Sequence, residues 1–442
     1  MRVLLTNNTL ANRAGTELYV RDVAIELLRR GHHPVAYSTH LGPVAEELRA
    51  ATVPVIRSLD CLGEPPDIIH GHHHYDTLAA MTWFPVAPAV YFCHGWLPWE
   101  EAPLHFPRIL RYVAVDELCR ERLIAEGGIA ADRIDLILNF FDESLFPRRE
   151  PLPAWPRKAL VFSNTFDENS DLPVLRKACE RCGIELHAVG IAMGNSQCRP
   201  GALLAHYDLV FAKARAAIEA LAVGTAVVLC NPGRLGPMVT SENFAALRLL
   251  NFGFRSLSLP LEEDLLVAEI QRYDAADAAA VSRLVRENCE LKAAVDRIVN
   301  VYEQVITEAR DGPVATALEC GRAVTRYLEQ SAEQYKRSTL AEERLRWIQR
   351  CAAAERALAE KQTEAVKAGR ELSCAKNLLA ERDRQLALLR RENAEMRASA
   401  TWRWTQAVLG SWPVKRMLGP FIRAIANRSQ RAVALQRDAA AR

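Results

Sequence analysis

The stretch YDLVFAKARAAIEALAVGTAVVLC, residues 207–230, reads as a strand, a turn, a helix and a second strand. Leu209, Val210 and Phe211 form a short apolar run, the pattern of a strand buried on both faces of a parallel sheet. Ala216, Ala217, Ala220, Leu221 and Ala222 follow at helical spacing, and their small side chains let the helix lie close against a sheet. Gly224 ends the helix, because glycine takes the left-handed C-terminal cap without strain. Residues 226–230 give the second strand. Lys213 and Arg215 stand where the helix begins. Unpaired N–H groups and the positive end of the helix dipole attract phosphate at such a place, and two cations strengthen the pull. Glu219 lies one turn further, at i+4 from Arg215. It either pairs with Arg215, as on an ordinary helix surface, or accepts hydrogen bonds from a sugar hydroxyl.

Working outward, the N-terminus has the same alternation. Residues 2–6 read as a strand, residues 7–15 as a polar loop ending at Gly15, residues 16–30 as an amphipathic helix closed by Gly31, and residues 33–38 as a strand. Doubly wound nucleotide folds begin this way, although the GxGxxG of dinucleotide sites is missing. The segment PPDIIHGHHHYD follows, with His70, His72, His73 and His74 close together. The run sits after a strand rather than at the HxxxH spacing of a helical metal site, so a metal is not expected. Either one or two of these histidines line a cleft or the run is loop surface. His94 ends the strand over residues 89–94, and ligands gather at the carboxyl ends of strands in open α/β sheets. The alternative is that it only caps a loop beside Trp96 and Trp99. After Cys230, NPGRLGP reads as a loop at another strand end, which makes Arg234 and Gly236 candidates.

Residues 219–228 resemble the signature of family 4 glycosyltransferases with the GT-B fold. There a Glu, a glycine-rich turn and a second Glu eight positions later precede EALA-x-G-T-P-V-V. Glu219, Ala220, Leu221, Ala222, Gly224, Thr225, Val227 and Val228 match. Phe211 stands where the first Glu would be, and Ala212 and Ala214 replace glycines. The loop and helix around Gly15, the P-D-I-I-H-x-H at Asp67–His72 and the segment from Ile134 to Asp142 are similar to family segments as well. In the region 163–171, SNTFDENSD has no cation where the family has an Arg and then a Lys. Too little chain separates residues 189 and 207 for the further strand and helix that the family places there.

The resemblance implies an α/β protein of GT-B type. Two Rossmann-like domains would face a cleft; the composition beyond them adds a long helical, coiled-coil C-terminal extension. Residues 1–155 would form the acceptor side, 156–310 an abbreviated donor side, 311–400 the helical extension and 401–442 a basic amphipathic tail. It implies metal-independent, retaining transfer from a nucleotide-diphosphate sugar, a substrate and not a cofactor, to a glycan or lipid-linked acceptor in bacterial-type surface polysaccharide synthesis. Glu219 would anchor the donor ribose, while Lys213 and Arg215 would stabilise the leaving diphosphate. His94 would stand at the reacting face, and Gly15 would let the N-domain loop approach. Arg234 and Gly236 would face the donor, and His70 and His72 the acceptor-side cleft. The departures leave three other readings: a catalytically silent scaffold in polysaccharide assembly, a sugar-nucleotide epimerase, and a nucleotide-sugar sensor.

Composition sets outer limits. A chain of 442 residues suggests two or three domains, and its net charge of +2 gives no basic excess for nucleic acid. The 11 cysteines are irregularly spaced, and the start MRVLLTNNTL is a strand and not a signal peptide. Free thiols in a reducing cytoplasm are therefore expected. Cys179 and Cys182 form a lone CxxC without partners for a metal. From about Tyr327 the sequence is rich in Ala, Glu, Arg, Gln and Leu. Leu372, Leu379, Leu386 and Asn393 at a positions place Ala375, Arg382, Leu389 and Met396 at d. That pattern suggests a coiled coil, with a second copy or a partner protein, or else a single helix on the globular part. From Thr401 the tail interleaves aromatic and aliphatic residues with cations against one acid, Asp438. This composition fits a membrane surface, peripheral to the inner face, with packing on protein as the alternative.

Overall fold

A computed structural model describes residues 1–410, apart from Leu97, Ser170, Ser196 and Cys198, together with Ala424 and Arg428. For residues 338–343, Ala400, Trp402 and Leu409 only the backbone is described. The tail expected at residues 401–442 thus lies, beyond Gly410, almost entirely outside the described residues. The first unit spans residues 1–333 and the second begins at Gln334.

The chain opens with strand β1 (Arg2–Thr6), helix α1 (Gly15–Arg29), strand β2 (His33–Tyr37), helix α2 (Pro43–Ala50) and strand β3 (Val55–Ile56). Strand β4 (Ile68–His72), helix α3 (His74–Trp83), strand β5 (Ala89–Cys93), strand β6 (Ile109–Ala114), helix α4 (Glu117–Ala125) and strand β7 (Ile134–Leu136) follow. The strands form one seven-stranded sheet in the order β3-β2-β1-β4-β5-β6-β7. All its pairings are parallel. Helices must cover both faces of such a sheet, which is why β4 and β5 are buried along their whole length. The order reverses beside β1, so the loop from Asn7 to Gly15 leaves the sheet at its topological switch point, where open sheets bind ligands.

The second sheet is built from β8 (Lys158–Phe162), helix α5 (Leu172–Arg181), β9 (Glu185–Val189), helix α6 (Pro200–Leu204), β10 (Leu209–Ala212), helix α7 (Ala214–Val223) and β11 (Ala226–Asn231). Strand β12 (Arg234–Met238), helix α8 (Phe244–Leu249), strand β13 (Leu259–Pro260) and helices α9 (Glu263–Ile270) and α10 (Ala275–Asn288) complete it. The strand order is β13-β12-β11-β10-β8-β9. Only the five-residue α6 lies between β9 and β10, so the sheet has four parallel strands and an antiparallel edge. Gly224 caps α7 with φ 104, as its position requires.

The segment NPGRLGP is not a loop. Strand β11 runs on to Asn231, Pro232 and Gly233 make the turn, and β12 returns antiparallel. Pro followed by a glycine at φ 73 is the pairing a type II turn needs. Gly236 is a packing residue within β12, since a Cβ there would stand 2.6 Å from the Ser256 carbonyl oxygen. Arg234 lies on the same strand with its guanidinium 5.1 Å over the Phe254 ring.

Helix α11 (Leu291–Asp311) crosses back to the first sheet. Val295, Ile298, Val301, Tyr302 and Val305 recur at helical spacing and are buried in the core that holds β1, β4 and β5. Each such side chain contributes about 1.5–3 kcal/mol when fully buried. Helix α12 (Ala317–Ala398) starts on the same core, into which Ala323 and Tyr327 are packed. Its continuation in the second unit, followed by α13 (Ala400–Gly410), exposes its leucines to solvent. No helix of the described residues is long and apolar enough to cross a membrane.

Candidate active site

A cleft of about 290 Å³ opens where the carboxyl ends of the two sheets face one another. From the first sheet it is lined by Arg13, Ala14, Gly15 and Leu18, the loop after β1 and the first turn of α1. From the second it is lined by residues after β8, β9 and β10, including Ser163, Asn164, Thr165 and Gly190. Lys213, Ala214, Arg215, Ala216 and Glu219 of the α7 N-terminus complete the wall. Gly15, Lys213, Arg215 and Glu219, singled out above, are thus brought together. The SNTFDENSD segment lines the cleft with neutral groups. Asn164 accepts from the Ile191 backbone N–H at 3.1 Å, and the Thr165 hydroxyl donates to Asn231 at 3.0 Å.

The charged groups form a chain across the two halves. Arg215 Nε donates to Glu219 Oε1 at 2.8 Å, and its Nη2 bonds Asp22 on α1. Asp22 also accepts from Arg21 Nε at 2.8 Å, and Arg21 reaches Glu47 at 2.7 Å. Arg13 closes on the same Glu47. Asp22 and Glu219 are 3% and 5% exposed, so these are buried pairs. Burial pushes the Asp22 carboxyl upward, but Arg215 and Arg21 outweigh it and hold the group below its usual value. Burial also raises Glu219, with Asp22 adding to the shift and Arg215 opposing it. Arg215 is raised: burial disfavours its charge, and the two carboxylates overcome that.

Lys213 differs from its neighbours. It precedes α7 as the N-cap residue, and burial lowers its pKa. Its ammonium makes no hydrogen bond or ion pair among the described residues. Next to it Ala214 has φ 50, a left-handed conformation that costs a non-glycine residue about 1–2 kcal/mol. This is one of the two positions where alanine replaces a glycine of the family signature.

Residues 13–145 match the family model described as Glycosyltransferase Family 4. A solved glycosyltransferase from Rickettsia africae is similar over 69% of this chain and 98% of its own, with 16% identity and a TM-score of 0.52. Anabaena HepE, solved in complex with UDP-glucose, is similar over 69% of this chain and 100% of its own, with 17% identity and a TM-score of 0.51. The chain has a GT-B fold. No curated protein matches the sequence.

Within the GT-B frame, the remaining residues singled out from the sequence lie away from the cleft. His70 and His72, expected on its acceptor side, are fully buried in the first core. His70 stacks on Phe92 at 3.6 Å between ring centroids, bonds the Tyr302 hydroxyl through Nδ1, and meets His72 Nε2 through its own Nε2. The physical reason is α11: its Tyr302 covers the strand end that would otherwise face solvent. His94, expected at the reacting face, stacks on His72 at 4.6 Å and meets Tyr19 edge-on at 4.6 Å. Its Nε2 is buried without a partner, and burial holds its pKa at about 3. His94 is therefore a neutral imidazole packed between Tyr19 and His72, and it does not line the cleft. Among the described residues no group of three or more His, Cys, Asp or Glu side chains is placed to hold a metal ion. Arg234 and Gly236, expected to face the donor, are held on β12.

Sequence reasoning missed Asp22 and Arg13. Asp22 had a readable signal: it stands four residues after Leu18, on the face of α1 that meets the second sheet, where a charge needs a partner.

Proposed function

We propose that the protein is a retaining, metal-independent glycosyltransferase. It takes the sugar of a nucleotide-diphosphate donor to a glycan or lipid-linked acceptor in surface polysaccharide synthesis. The observation that carries the reading is Lys213, a part-buried ammonium without a protein partner at a helix N-terminus in the GT-B cleft. An ammonium there meets a diphosphate as a charge-assisted contact, and in a closed cleft such a contact stabilises the leaving group as the glycosidic bond breaks. Glu219 would hold the ribose, and Gly15 would leave room for the donor beneath the N-domain loop. Residues 1–155 would supply the acceptor side and 156–310 the donor side. The reading includes a coiled-coil role for the extension and attachment of the tail to the inner membrane face.

The first measurement is binding of UDP-, GDP-, dTDP- and ADP-sugars to the full chain by thermal shift and calorimetry. UDP-glucose comes first, since HepE was solved with it. One donor class should saturate. Lys213→Ala should weaken it by about 10–150-fold, the cost of one charge-assisted contact of about 1.5–3 kcal/mol. An intact protein that binds none of them would overturn the proposal.

A second reading, a module that no longer turns over, is favoured by Arg215. Its guanidinium is already held by Asp22 and Glu219, which leaves Lys213 as the cation free for phosphate among the described residues of the α7 N-terminus. Donor binding without donor hydrolysis or transfer would select that reading.

A further inference from the structure

Helix α12 spans 82 residues, about 120 Å at 1.5 Å per residue. Beyond Glu333 it carries a line of uncovered apolar side chains. Leu358 and Leu372 are each 59% exposed, and Leu379 and Leu389 each 60%. An isolated helix is not stabilised by such a stripe; another helix is what buries it. We infer that α12 pairs with α12 of a second copy of this chain as a parallel, in-register, two-stranded coiled coil. The inference rests on the coiled-coil reading above and adds partner, direction and register.

Three features of the heptad carry it. The a positions run without a break through Cys351, Leu358, Ala365, Leu372, Leu379 and Leu386 to Asn393. In a parallel pair each a residue faces its own copy, so Asn393 meets Asn393 and both amides are satisfied; an a-position asparagine of this kind fixes register and oligomer state. In an antiparallel pair an a residue faces a d residue, so Asn393 would lose its matching amide. The flanking charges agree as well. A parallel pair sets each g residue against the e residue five positions on in the partner. Arg350 then faces Glu355, Glu371 faces Lys376 and Glu392 faces Arg397, and no like-charged g–e pair arises from Arg350 to Arg397. Lys361 and Arg382 at d weaken the seam. Each has a carboxylate beside it, Glu364 and Asp383, and a long stem that lets its head leave the core.

The register places the two Cys351 residues opposite one another at an a layer, within the Cα separation that a disulfide spans. Cys374, at a c position, is exposed on the outer face. The test uses the full chain. Light scattering should give twice 49.3 kDa. Copper-phenanthroline takes two electrons from the facing thiols, which lose two protons as the S–S bond forms, and a dimer band should appear without reductant. Cys351→Ser should remove that band and Cys374→Ser should leave it. Leu379→Asp with Leu386→Asp should give monomers that bind nucleotide sugar as the parent does, since the globular unit is untouched. A dimer without the Cys351 cross-link would overturn direction and register while the coiled-coil reading stands. A monomer would overturn both, and a larger oligomer would overturn the two-stranded pairing.

Discussion

Two strand ends of this molecule look alike in sequence and differ in what surrounds them. In the last part of β4 and just after β5 stand His70, His72 and His94; after β10 stand Lys213, Arg215 and Glu219. Both sets are polar residues at the carboxyl edge of a parallel sheet. The histidines are stacked on one another and neutral, and His70 is covered by Tyr302 of α11. The second set is charged, reaches the opposite half through Asp22, and lines the cleft. The difference is made by a helix that arrives some two hundred residues later. A strand end is a site only if nothing else in the chain covers it, and covering groups are not visible from the strand's own sequence.

The sharpest way to break this contrast is Arg215→Ala. It leaves the Asp22 and Glu219 carboxylates buried without their shared cation. Urea denaturation should report a loss of about 3–5 kcal/mol, the cost of opening a buried charge network. A loss below about 1 kcal/mol would mean that these pairs are solvated, and the two strand ends would then differ in position alone.

The neutral side is tested through pH. Burial holds His94 at about 3 and His73 at about 4, below the ordinary value of about 6.5. Such groups contribute full stability above about pH 6.5 and lose it as pH falls toward their folded values, because the unfolded chain binds the proton first. Asp76 and Glu101, which burial raises to about 7, act in the opposite sense and gain stability as pH falls through 7. A variant comparison isolates one imidazole from that sum. Between pH 6 and 4.5, His94→Leu should reduce the acid slope by up to about 1.4 kcal/mol per pH unit relative to the parent. Parallel curves would show that His94 is solvated and already protonates in the folded state.

The smallest expected effect lies beside Lys213. Ala214→Gly removes the left-handed strain at φ 50 but adds unfolded-state freedom, for a net gain of about 0.5–1 kcal/mol. A loss of stability would show that Ala214 adopts an ordinary helical φ in solution.

Much of the scaffold was legible. The apolar runs at Leu209–Phe211 and Ala226–Cys230, the Gly224 cap and the strand–helix–strand start follow from local rules that the tertiary structure did not need to override. The α7 N-terminus was legible for the same reason, since a helix start after a buried strand fixes its own side chains. Three things were not. The Pro232–Gly233 turn was read as loop because its returning strand carries a proline and a glycine, which weaken any strand signal. The histidines read as cleft or loop residues because Tyr302, which covers His70, is remote in sequence. Asp22 was passed over because a helix of alternating charge looks solvated until its partner, Arg215, is brought to it.

The crossing of α11 has a further meaning for motion. Phe141 donates to the Cys289 carbonyl at 3.0 Å, and Leu291 donates to the Phe141 carbonyl at 3.0 Å. The whole second half is therefore an insertion, entering and leaving through two adjacent strands of backbone. Two soft crossings side by side make a hinge. Helix α12 is rooted on the near side of it, through Tyr327 against His74. Rotation of the inserted half about that hinge would open or close the cleft while Tyr327, the root of α12, keeps its place on the first half.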